Sequence, residues 1–344
     1  MVRFGIVGAG GIAATHAEAL AKLAGAELAM ICDVVPERAA KLAEKFGVRA
    51  GTPEELFAAR DIDAVTIATP SGLHADGAVA AARSGKHVFC EKPLDVTVER
   101  AESIITACRE NKVKLMACFP SRTSDAARTL KAAVDSGRFG QMTLAGASVR
   151  WFRPPEYYVS GAWRGTWALD GGGALMNQGS HTVDLLLFFN GGVRSLCGRT
   201  ANRLHRSIEV EDTACAVLEF ANGSLGYIEA STACAPGTPN RIELAGTRGS
   251  AVLEGDRITR WKFADELPED TAVRTRFAES GGAHSGASSH LVANCEGHRR
   301  QLEEFASAIE RDTPITCTGE DGLRAVRVIR GVYESTQSGK IVYF

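Results

Sequence analysis

The first 120 residues alternate short apolar runs with segments of helical character. The apolar runs are rich in β-branched residues, which is typical of strands buried in a parallel sheet. They occupy residues 2–7, 27–32, 63–68, 87–90 and 114–118. Predicted helices stand between them, at 14–23, from Pro36 onward, and at 75–84 and 101–111. Strands that alternate with helices in this way predict a doubly wound α/β fold with a parallel sheet.

Strand-like runs dominate the pattern of the second half of the chain. They occupy residues 143–149, 213–220, 225–231, 241–245 and 251–253. The link Ala221-Asn222-Gly223-Ser224 joins two of these runs and has the residue types of a β-hairpin turn. A chain of 344 residues is long enough for about two domains. We therefore expect a strand-rich second domain.

A glycine-rich turn follows the first predicted strand. The segment Gly8-Ala9-Gly10-Gly11-Ile12-Ala13 fits the pattern G-x-G-x-x-A. Its first glycine allows a tight turn, its second lets the backbone approach a pyrophosphate, and its last small residue lets the helix pack close to the strand. The helix N-terminus then offers N–H groups and a positive dipole end to phosphates. The motif alone also fits a turn without a ligand, but its place between strand and helix favours a dinucleotide site.

An acidic residue ends the second predicted strand. Asp33 follows the glycine turn at the distance where dinucleotide-binding folds place the acid that binds the ribose hydroxyls. Its negative charge would repel a 2′-phosphate, so we predict NAD as the cofactor. Arg38 is close in sequence and leaves NADP as an alternative. A solvent-exposed turn acid is the other interpretation of Asp33.

Two further segments follow predicted strands at the edge where ligands of open α/β sheets bind. They are Thr69-Pro70 and Glu91-Lys92-Pro93. We expect Lys92 to face the cofactor, although an isolated lysine is more commonly a solvated surface charge. The predicted cofactor-binding residues are Gly8, Gly10, Gly11, Ile12, Asp33, Thr69, Pro70, His74, Glu91 and Lys92.

Composition and charge narrow the class of protein. Hydrophobic residues make up 45% of the chain and charged residues 23%, as in ordinary globular proteins. The formal net charge of −2 argues against nucleic acid as a partner. No apolar stretch is long enough to span a membrane, and the N-terminus does not resemble a signal peptide. The nine cysteines are odd in number and form no C-x-x-C pair, so we expect reduced thiols and a cytoplasmic location.

Four segments resemble the Gfo/Idh/MocA oxidoreductase family, which includes glucose–fructose oxidoreductase and inositol dehydrogenase. They are the glycine turn with its strand at 6–13, the A-T-P-S-G-L-H segment at 68–74, the G-K-H-V-F-C-E-K-P-L segment at 85–94 and the D-G-G-G-A-L-M-N-Q-G-S-H-T-V-D segment at 170–184. The last two are far more specific than the glycine turn.

The resemblance implies two domains: an NAD(P)-binding Rossmann domain at 1–120, and an α/β domain at 121–344 with a large, open, mostly antiparallel sheet. The second domain is expected to bind substrate and to form a homo-oligomer, a dimer or tetramer, by packing these sheets together.

The resemblance also implies hydride transfer between the nicotinamide and a carbinol carbon, assisted by Lys92 and His181. We assign His181 as the principal proton acceptor, since histidine titrates near neutral pH, and Lys92 as a donor to the reacting oxygen, although the two roles could be exchanged.

Asn177, the third predicted catalytic residue, stands where inositol dehydrogenases carry aspartate. If the segment is α-helical, Asn177 and His181 share a face. Asp184 would either orient the His181 ring or serve as a buried helix acid. No metal is expected at Asn177, His181 and Asp184, because one histidine and one carboxylate make a poor zinc site.

The predicted substrate-binding residues are Arg122, Trp163, Arg164, Asn177 and His181. Arginine can bind a carboxylate or phosphate with two hydrogen bonds, and tryptophan offers an apolar face to a sugar ring. Packing beneath a loop is the alternative role for the tryptophan, and surface exposure is the alternative for Arg122. Tyr157 and Tyr158 are weaker candidates. The small polar residues from Ala278 to Ser289 predict a mobile loop.

The predicted function is NAD-dependent oxidation or reduction of a polyhydroxylated small molecule, namely a sugar, an inositol or a sugar acid. One alternative is an enzyme that retains NAD and oxidises its substrate only transiently, during hydrolysis or epimerisation. The other is an NAD-binding regulator without catalytic activity.

Overall fold

The computed structural model of the chain describes residues 1–278 and 295–344. These residues form two compact units. The first holds residues 1–120 and 295–326, and the second holds residues 121–278 and 327–344. Each unit is built around its own sheet, and each is described separately below.

The first unit contains a six-stranded parallel sheet. Its strands are β1 (Val2–Val7), β2 (Ala26–Cys32), β3 (Arg49–Gly51), β4 (Ala64–Ile67), β5 (His87–Cys90) and β6 (Leu115–Ala117). The strand order is β3-β2-β1-β4-β5-β6, and every neighbouring pair is parallel. The chain reverses its winding direction between β1 and β4. The predicted doubly wound sheet is therefore confirmed, and its switch point lies at the glycine turn.

Helices connect these strands, and their ends follow local capping chemistry. They are α1 (Gly11–Leu20), α2 (Pro36–Phe46), α3 (Pro53–Ala58), α4 (His74–Arg83), α5 (Val98–Glu110) and α10 (Glu296–Arg311). The Thr52 hydroxyl accepts from the Glu55 N–H while the Glu55 carboxylate accepts from the Thr52 N–H, which forms a capping box at the start of α3. By contrast, no side chain caps the N-terminus of α1.

The second unit contains an eight-stranded, mostly antiparallel sheet. Its strands are β7 (Met142–Arg150), β8 (Val193–Ala201), β9 (Thr213–Phe220), β10 (Leu225–Ser231), β11 (Arg241–Gly246), β12 (Gly249–Glu254), β13 (Arg257–Phe263) and β14 (Val342–Tyr343). Their order is β13-β12-β11-β7-β10-β9-β8-β14, and only β7 and β10 run parallel. The predicted hairpin is confirmed, because β9 and β10 pair antiparallel on either side of residues 221–224.

One face of this second sheet is buried and the other is open. Along β9, Ala214, Ala216, Leu218 and Phe220 are buried, whereas Cys215 and Val217 between them are exposed. The helices of the unit are α6 (Asp125–Asp135), α7 (Pro155–Val159), α8 (Ser180–Asn190), α9 (Pro268–Ala278) and the second half of α11 (Gly319–Ser338). Contacts of α8 with β7 and β11 cover the buried face.

Two predictions, of a mobile loop and of no membrane-spanning segment, are compared here with the described residues. Apart from Ala278 at the end of α9, the predicted loop from Ala278 to Ser289 lies outside the described residues. Within residues 1–278 and 295–344, no helix combines the length and apolar character needed to cross a membrane.

Candidate active site

The glycine turn has the shape that a dinucleotide requires. Gly8 adopts a left-handed φ of +97°, and a Cβ atom on it would lie 2.7 Å from the Ala68 carbonyl oxygen. Only glycine fits where β1 and β4 approach this closely. Gly10 and Gly11 differ, since Cβ atoms added to them would meet no atom of residues 1–278 or 295–344 within 4 Å. A ligand backbone can therefore approach these two residues.

Asp33 is held beside this turn by backbone hydrogen bonds. Its Oδ2 accepts from the Ala9 N–H at 2.7 Å, and its Oδ1 accepts from the Val35 N–H at 2.8 Å. These bonds tie the end of β2 to the turn after β1. The uncapped N-terminus of α1 adds N–H groups. This geometry fits a dinucleotide, with the pyrophosphate at the turn and the ribose hydroxyls at Asp33.

His74 joins the loops that follow β4 and β5. One ring nitrogen lies 2.8 Å from the Pro93 carbonyl oxygen, and the other lies 3.0 Å from the Thr69 carbonyl oxygen. The ring is buried. His74 therefore braces the two predicted cofactor loops, and its direct contact with a cofactor stays a prediction.

A buried cluster surrounds Glu91, the residue before Lys92. Glu91 Oε1 lies 2.8 Å from His16 Nε2, 3.1 Å from Cys118 Sγ and 3.4 Å from His298 Nε2. Glu91 Oε2 accepts from the Lys92 N–H at 3.0 Å. Burial alone would raise the pKa of Glu91, but the hydrogen bonds from His16 and His298 outweigh it and hold the pKa well below its ordinary value. An ionised carboxylate thus fixes the backbone of Lys92.

The same four side chains form a set of metal-ligand type. Their ligand atoms all lie within 4.8 Å of one another, so His16 and His298 meet although no sequence spacing indicated it. The second ring nitrogen of each histidine is buried and has no hydrogen-bond partner among the residues that the structure describes. Histidines that bind metals nearly always donate through this second nitrogen. The cluster therefore fits a hydrogen-bond network better than a metal centre, and the expectation of no metal stays a prediction.

In the second unit, Glu211 anchors the glycine triplet at 171–173. Its Oε2 accepts from the Gly173 N–H and its Oε1 from the Leu175 N–H, each at 2.8 Å, while the Tyr333 hydroxyl donates to Oε1 at 3.0 Å. A Cβ atom on Gly173 would lie 1.7 Å from the Glu211 carbonyl oxygen, so only glycine fits. Burial raises the pKa of Glu211 from 4.5 to about 7, although these hydrogen bonds oppose the rise.

The segment that carries Asn177 differs from the expected α-helix. Residues Ala174–Gly179 form a π-helix, and the α-helix α8 begins only at Ser180. The assumption of a continuous α-helix from Asn177 to His181 is therefore wrong. Single π-helical turns are rare and often occur at functional sites. Hydrogen bonds from the Gly173 and Leu175 N–H groups to Glu211 hold the start of the segment in place.

Asn177 is hydrogen-bonded to a buried carboxylate. Its Nδ2 donates to Asp170 Oδ1 at 2.5 Å, and its Oδ1 accepts from Gln178 Nε2 at 3.1 Å. The other oxygen of Asp170 accepts from the Gly165 N–H at 2.8 Å. An aspartate at position 177 would place two carboxylates in contact, which raises the pKa of one of them. Asp170 therefore explains why an amide suits this position in this chain.

Arg122 and Asp184 pair with each other. Arg122 donates from Nε and Nη2 to the two Asp184 oxygens at 2.7 and 2.6 Å, and both side chains are buried. The guanidinium also stacks on Phe188 at 4.6 Å. The surface interpretation of Arg122 is therefore wrong. Asp184 is a buried helix acid paired with Arg122, and its role in orienting the His181 ring stays a prediction. A substrate contact by Arg122 stays a prediction.

The segment from Trp163 to Trp167 is tied down at several points. The Gly165 N–H bonds to Asp170, and the Trp167 N–H bonds to Glu209 Oε2 at 3.0 Å. The Arg164 guanidinium stacks over the Tyr157 ring at 4.2 Å and over the Trp163 ring at 4.7 Å. Trp163 thus has a packing contact, and the substrate roles of Trp163 and Arg164 stay predictions.

Sequence reasoning overlooked several residues that shape the site. They are His16, Arg153, Asp170, Gln178, Glu211 and His298. Asp170 and Gln178 lie inside the family-like segment at 170–184, and that position was the signal available for them. Arg153, Glu211 and His298 stand in segments without a recognisable motif, so only the tertiary structure within each unit brings them next to candidate site residues.

Comparisons with known proteins agree with this geometry. Residues 2–119 match the family described as "Oxidoreductase family, NAD-binding Rossmann fold", and residues 127–252 match the GFO/IDH/MocA C-terminal domain. Inositol 2-dehydrogenase of Rhizobium meliloti (strain 1021) is 30% identical, with 98% of each chain covered.

Two solved structures are similar over nearly their full length. The WlbA dehydrogenase of Bordetella pertussis, in complex with NADH and UDP-GlcNAcA, is 32% identical with a TM-score of 0.88, covering 100% of this chain and 98% of that one. The WlbA dehydrogenase of Chromobacterium violaceum, with the same two ligands, is 31% identical with a TM-score of 0.89, covering 100% and 96%.

Fold and sequence together define an NAD-binding oxidoreductase. The chain belongs to the Gfo/Idh/MocA family. The predicted family, the oxidoreductase class and NAD as the cofactor of the domain are thereby confirmed.

The pKa of Glu211 predicts a dependence of stability on pH. The folded protein holds a proton on Glu211 up to about pH 7, whereas the unfolded chain releases it near pH 4.5. Rising pH therefore lowers the free energy of unfolding, by up to about 3 kcal/mol between pH 4.5 and pH 8. Glu211→Gln cannot ionise, so its stability relative to wild type should improve as pH rises. Urea unfolding at several pH values measures this, with exposed Glu44→Gln as the control; parallel curves for wild type and Glu211→Gln would contradict the assignment.

The two glycine environments predict different effects of an added methyl group. Gly8→Ala should lower the free energy of unfolding by about 1–3 kcal/mol, because it combines a left-handed φ with a backbone clash. Gly10→Ala should cost less than about 1 kcal/mol, yet weaken NADH binding at least about tenfold by filling the space a pyrophosphate needs. Urea unfolding and NADH fluorescence titration measure the two effects. Unchanged NADH affinity in Gly10→Ala would place the pyrophosphate elsewhere.

Proposed function

We propose that the protein is an NAD-dependent dehydrogenase or reductase acting on a sugar, an inositol or a sugar acid. The first domain, at 1–120, binds NAD, and the second, at 121–344, binds the substrate. Relatives named inositol 2-dehydrogenase, or solved with NADH and UDP-GlcNAcA, support this substrate range.

One observation carries the proposal: an open glycine turn and a fixed lysine lie at the same edge of one sheet. The turn follows β1, and Lys92 follows β5, with β4 between them. Neighbouring strands are about 4.8 Å apart, so roughly 10 Å separates the two strand ends. A dinucleotide that starts at the turn spans that distance along the sheet edge, where ligands of such folds bind.

The proposed reaction needs a hydride acceptor, a proton acceptor and a hydrogen-bond donor, and a different group supplies each. Bound NAD supplies a nicotinamide carbon that accepts or returns a hydride. Oxidation of a carbinol also releases the hydroxyl proton, which a side chain must take. His181 accepts this proton, and Lys92 donates a hydrogen bond to the reacting oxygen. Asn177, oriented by Asp170 and Gln178, positions the substrate hydroxyl.

The carboxylate of Asp33 supports NAD over NADP. Two backbone hydrogen bonds hold the Asp33 carboxylate beside the glycine turn, where its negative charge would repel a 2′-phosphate. Arg38, the residue that kept NADP as an alternative, is exposed on α2. NADH should therefore bind more tightly than NADPH.

Lys92→Met and His181→Gln should each lower the turnover rate at least about 100-fold, because each removes a proton donor or acceptor at the reacting oxygen. NADH affinity of His181→Gln should stay within about twofold of wild type. Inositols, hexoses and uronic acids supplied with NAD, and NADH absorbance during turnover, provide the assay, with exposed Lys41→Met as the control.

Two outcomes would contradict this assignment. A Lys92→Met, His181→Gln double variant that turns over like wild type would remove the catalytic role of both residues. Product formed without accumulation of NADH would indicate transient oxidation in place of net dehydrogenation.

We further propose a cytoplasmic homo-oligomer, a dimer or tetramer, that associates through the open face of the second sheet. The cysteines are thiols and most are buried, which suits a reducing compartment. On the open face, Leu144, Val217 and Leu225 are 49%, 64% and 58% exposed, and Tyr227 pairs with Val217. These four residues form the sheet patch. Exposed apolar side chains grouped in this way are typical of interfaces.

Val217→Glu combined with Leu225→Glu should dissociate the oligomer, because it places charge in the centre of the sheet patch. Light scattering after size-exclusion chromatography measures the mass, and circular dichroism checks that the fold is kept. Lys41→Glu, a charge change on the first unit, serves as the control. A doubly substituted protein with the wild-type mass would rule out this face.

A further inference from the structure

Two histidines from different helices of the first unit meet at the carboxylate that precedes Lys92. His16 lies on α1, His298 lies on α10, and Glu91 directly follows β5. The Nε2 atoms of His16 and His298 lie 2.8 and 3.4 Å from Glu91 Oε1. The Cys118 thiol, a weaker type of donor, lies 3.1 Å from the same oxygen. Side chains from two helices and a strand end therefore converge on one carboxylate oxygen.

Hydrogen bonding fixes which nitrogen of each imidazole ring carries the proton. The pKa of Glu91 is well below its ordinary value, so its carboxylate only accepts, and both rings donate to it from Nε2. Nδ1 of each ring is buried and has no hydrogen-bond partner within residues 1–278 and 295–344. A proton on Nδ1 would leave a buried N–H unpaired, which is costly. Burial also lowers the pKa of His16, although Glu91 opposes the shift. Both rings therefore fit as neutral donors with Glu91 as their common acceptor.

Packing holds the two rings in this orientation. The side chain of His16 is fully buried, and that of His298 is nearly so. The ring centres of the two histidines are 5.3 Å apart. His16 also meets Phe89 of β5 edge-on at 5.6 Å, and Phe89 contacts Phe305 of α10 at 5.9 Å. The donors at Glu91 are thus oriented before any ligand binds.

Glu91 passes this order on to the backbone of Lys92. The Glu91 N–H still belongs to the sheet, since it donates to the Ile67 carbonyl oxygen at 3.1 Å. The Lys92 N–H donates instead to Glu91 Oε2 at 3.0 Å. A carboxylate is rigid and planar, so donors that fix one of its oxygens also fix the other. The backbone from which the Lys92 side chain extends is therefore held through the Glu91 side chain.

We propose that His16 and His298 are positioning residues that hold the Lys92 backbone, by way of Glu91, in the geometry that turnover requires. This inference rests on the proposed function, because it takes Lys92 as the donor to the reacting oxygen. It adds two buried residues that act through Glu91. Reacting groups need to be held by packed side chains and supporting hydrogen bonds to well within 1 Å of their productive position.

Paired substitutions separate the donated hydrogen bond from the bulk of the ring. His16→Met and His298→Met remove the donor and keep a long side chain, whereas His16→Gln and His298→Gln keep an N–H donor. Each Met variant should lower kcat at least about tenfold, as small displacements of a reacting group do. KM and the NADH dissociation constant should stay within about threefold, because binding does not use the lost hydrogen bond. The Gln variants should keep kcat within about threefold of wild type.

Turnover is measured as NADH formation with the best substrate among the inositols, hexoses and uronic acids. Phe305→Met is the matched control, since it disturbs the same packing on α10 and leaves both donors in place. It should lower the free energy of unfolding without lowering kcat. Glu91→Gln tests the same link without touching either ring. Its amide has only one acceptor oxygen, so it cannot serve both the histidines and the Lys92 N–H, and kcat should fall as in His16→Met.

Hydrogen exchange of the Lys92 amide reports the hold on the backbone without any substrate. In His16→Met and His298→Met this amide should exchange at least about tenfold faster than in wild type, because its acceptor is no longer fixed. The neighbouring Glu91 amide is the internal reference, since its hydrogen bond belongs to the sheet. Equal acceleration at both amides would indicate a general loss of stability and would overturn the positioning role.

Other results would also overturn it. They are equal losses of kcat in the Met and Gln variants, an equal loss in Phe305→Met, wild-type kcat in Glu91→Gln, and one zinc ion per chain in the purified protein that His298→Met loses. Failure of the proposed function is distinguishable. If the Met variants accelerate exchange at Lys92 alone but wild type reduces no NAD, the hold on Lys92 stands and the dehydrogenase proposal falls. If wild type reduces NAD and the Met variants match it, the dehydrogenase proposal stands and the positioning role falls.

Discussion

In both units, the segments that carry candidate site residues depend on one repeated interaction, the hydrogen bond from a backbone N–H to a carboxylate oxygen. Asp33 accepts from Ala9, Glu91 accepts from Lys92, Asp170 accepts from Gly165, and Glu211 accepts from Gly173. In each case the N–H belongs to a turn or an irregular segment, where no regular ladder or helix bond is available to it. Buried N–H groups must be paired. The acids pair them, and in doing so they set the course of the chain at the positions that carry the chemistry.

Buried carboxylates that accept such bonds have pKa values shifted in opposite directions in the two units. Glu91 has two histidines around it, and their hydrogen bonds keep it ionised despite full burial. Glu211 has only neutral donors, two backbone N–H groups and the Tyr333 hydroxyl, so burial prevails and its pKa rises to about 7. A buried carboxylate therefore stays charged where partners that can share a positive charge are present, and tends toward its neutral form where they are not. The pKa of the acid beside Lys92 is thus lowered, while the pKa of the acid at the π-helix is raised into the neutral range.

In the second unit, this backbone anchoring is linked to the side chains around Asn177. Asp170 fixes Asn177 and the Trp163–Trp167 segment together, and Gln178 links Asn177 to Arg153. Asn177, Gln178 and Arg153 thus belong to one hydrogen-bonded arrangement. Changing Asn177 to an acid would therefore disturb Asp170 as well.

Local features were readable from the amino-acid sequence because residues close in the chain decide them. Apolar runs predicted β1, β5, β9 and β10 within a residue or less, and the turn residues after β9 predicted the hairpin. The short strand β3 and the helix after it went unrecognised, because three residues are too few to display a period. The glycine turn, Asp33 and the two catalytic candidates were found as short motifs.

Tertiary structure alone decided which side chains meet. His298 reaches Glu91, Asp184 takes Arg122 as its partner, and Tyr333 closes on Glu211, in each case across long stretches of chain. It also placed Asn177 in a π-helical segment, the start of which is held by hydrogen bonds to Glu211. Periodicity and turn chemistry act over a few residues, so they specify elements. Ion pairs and buried hydrogen bonds depend on how those elements pack, and no local pattern contains that information.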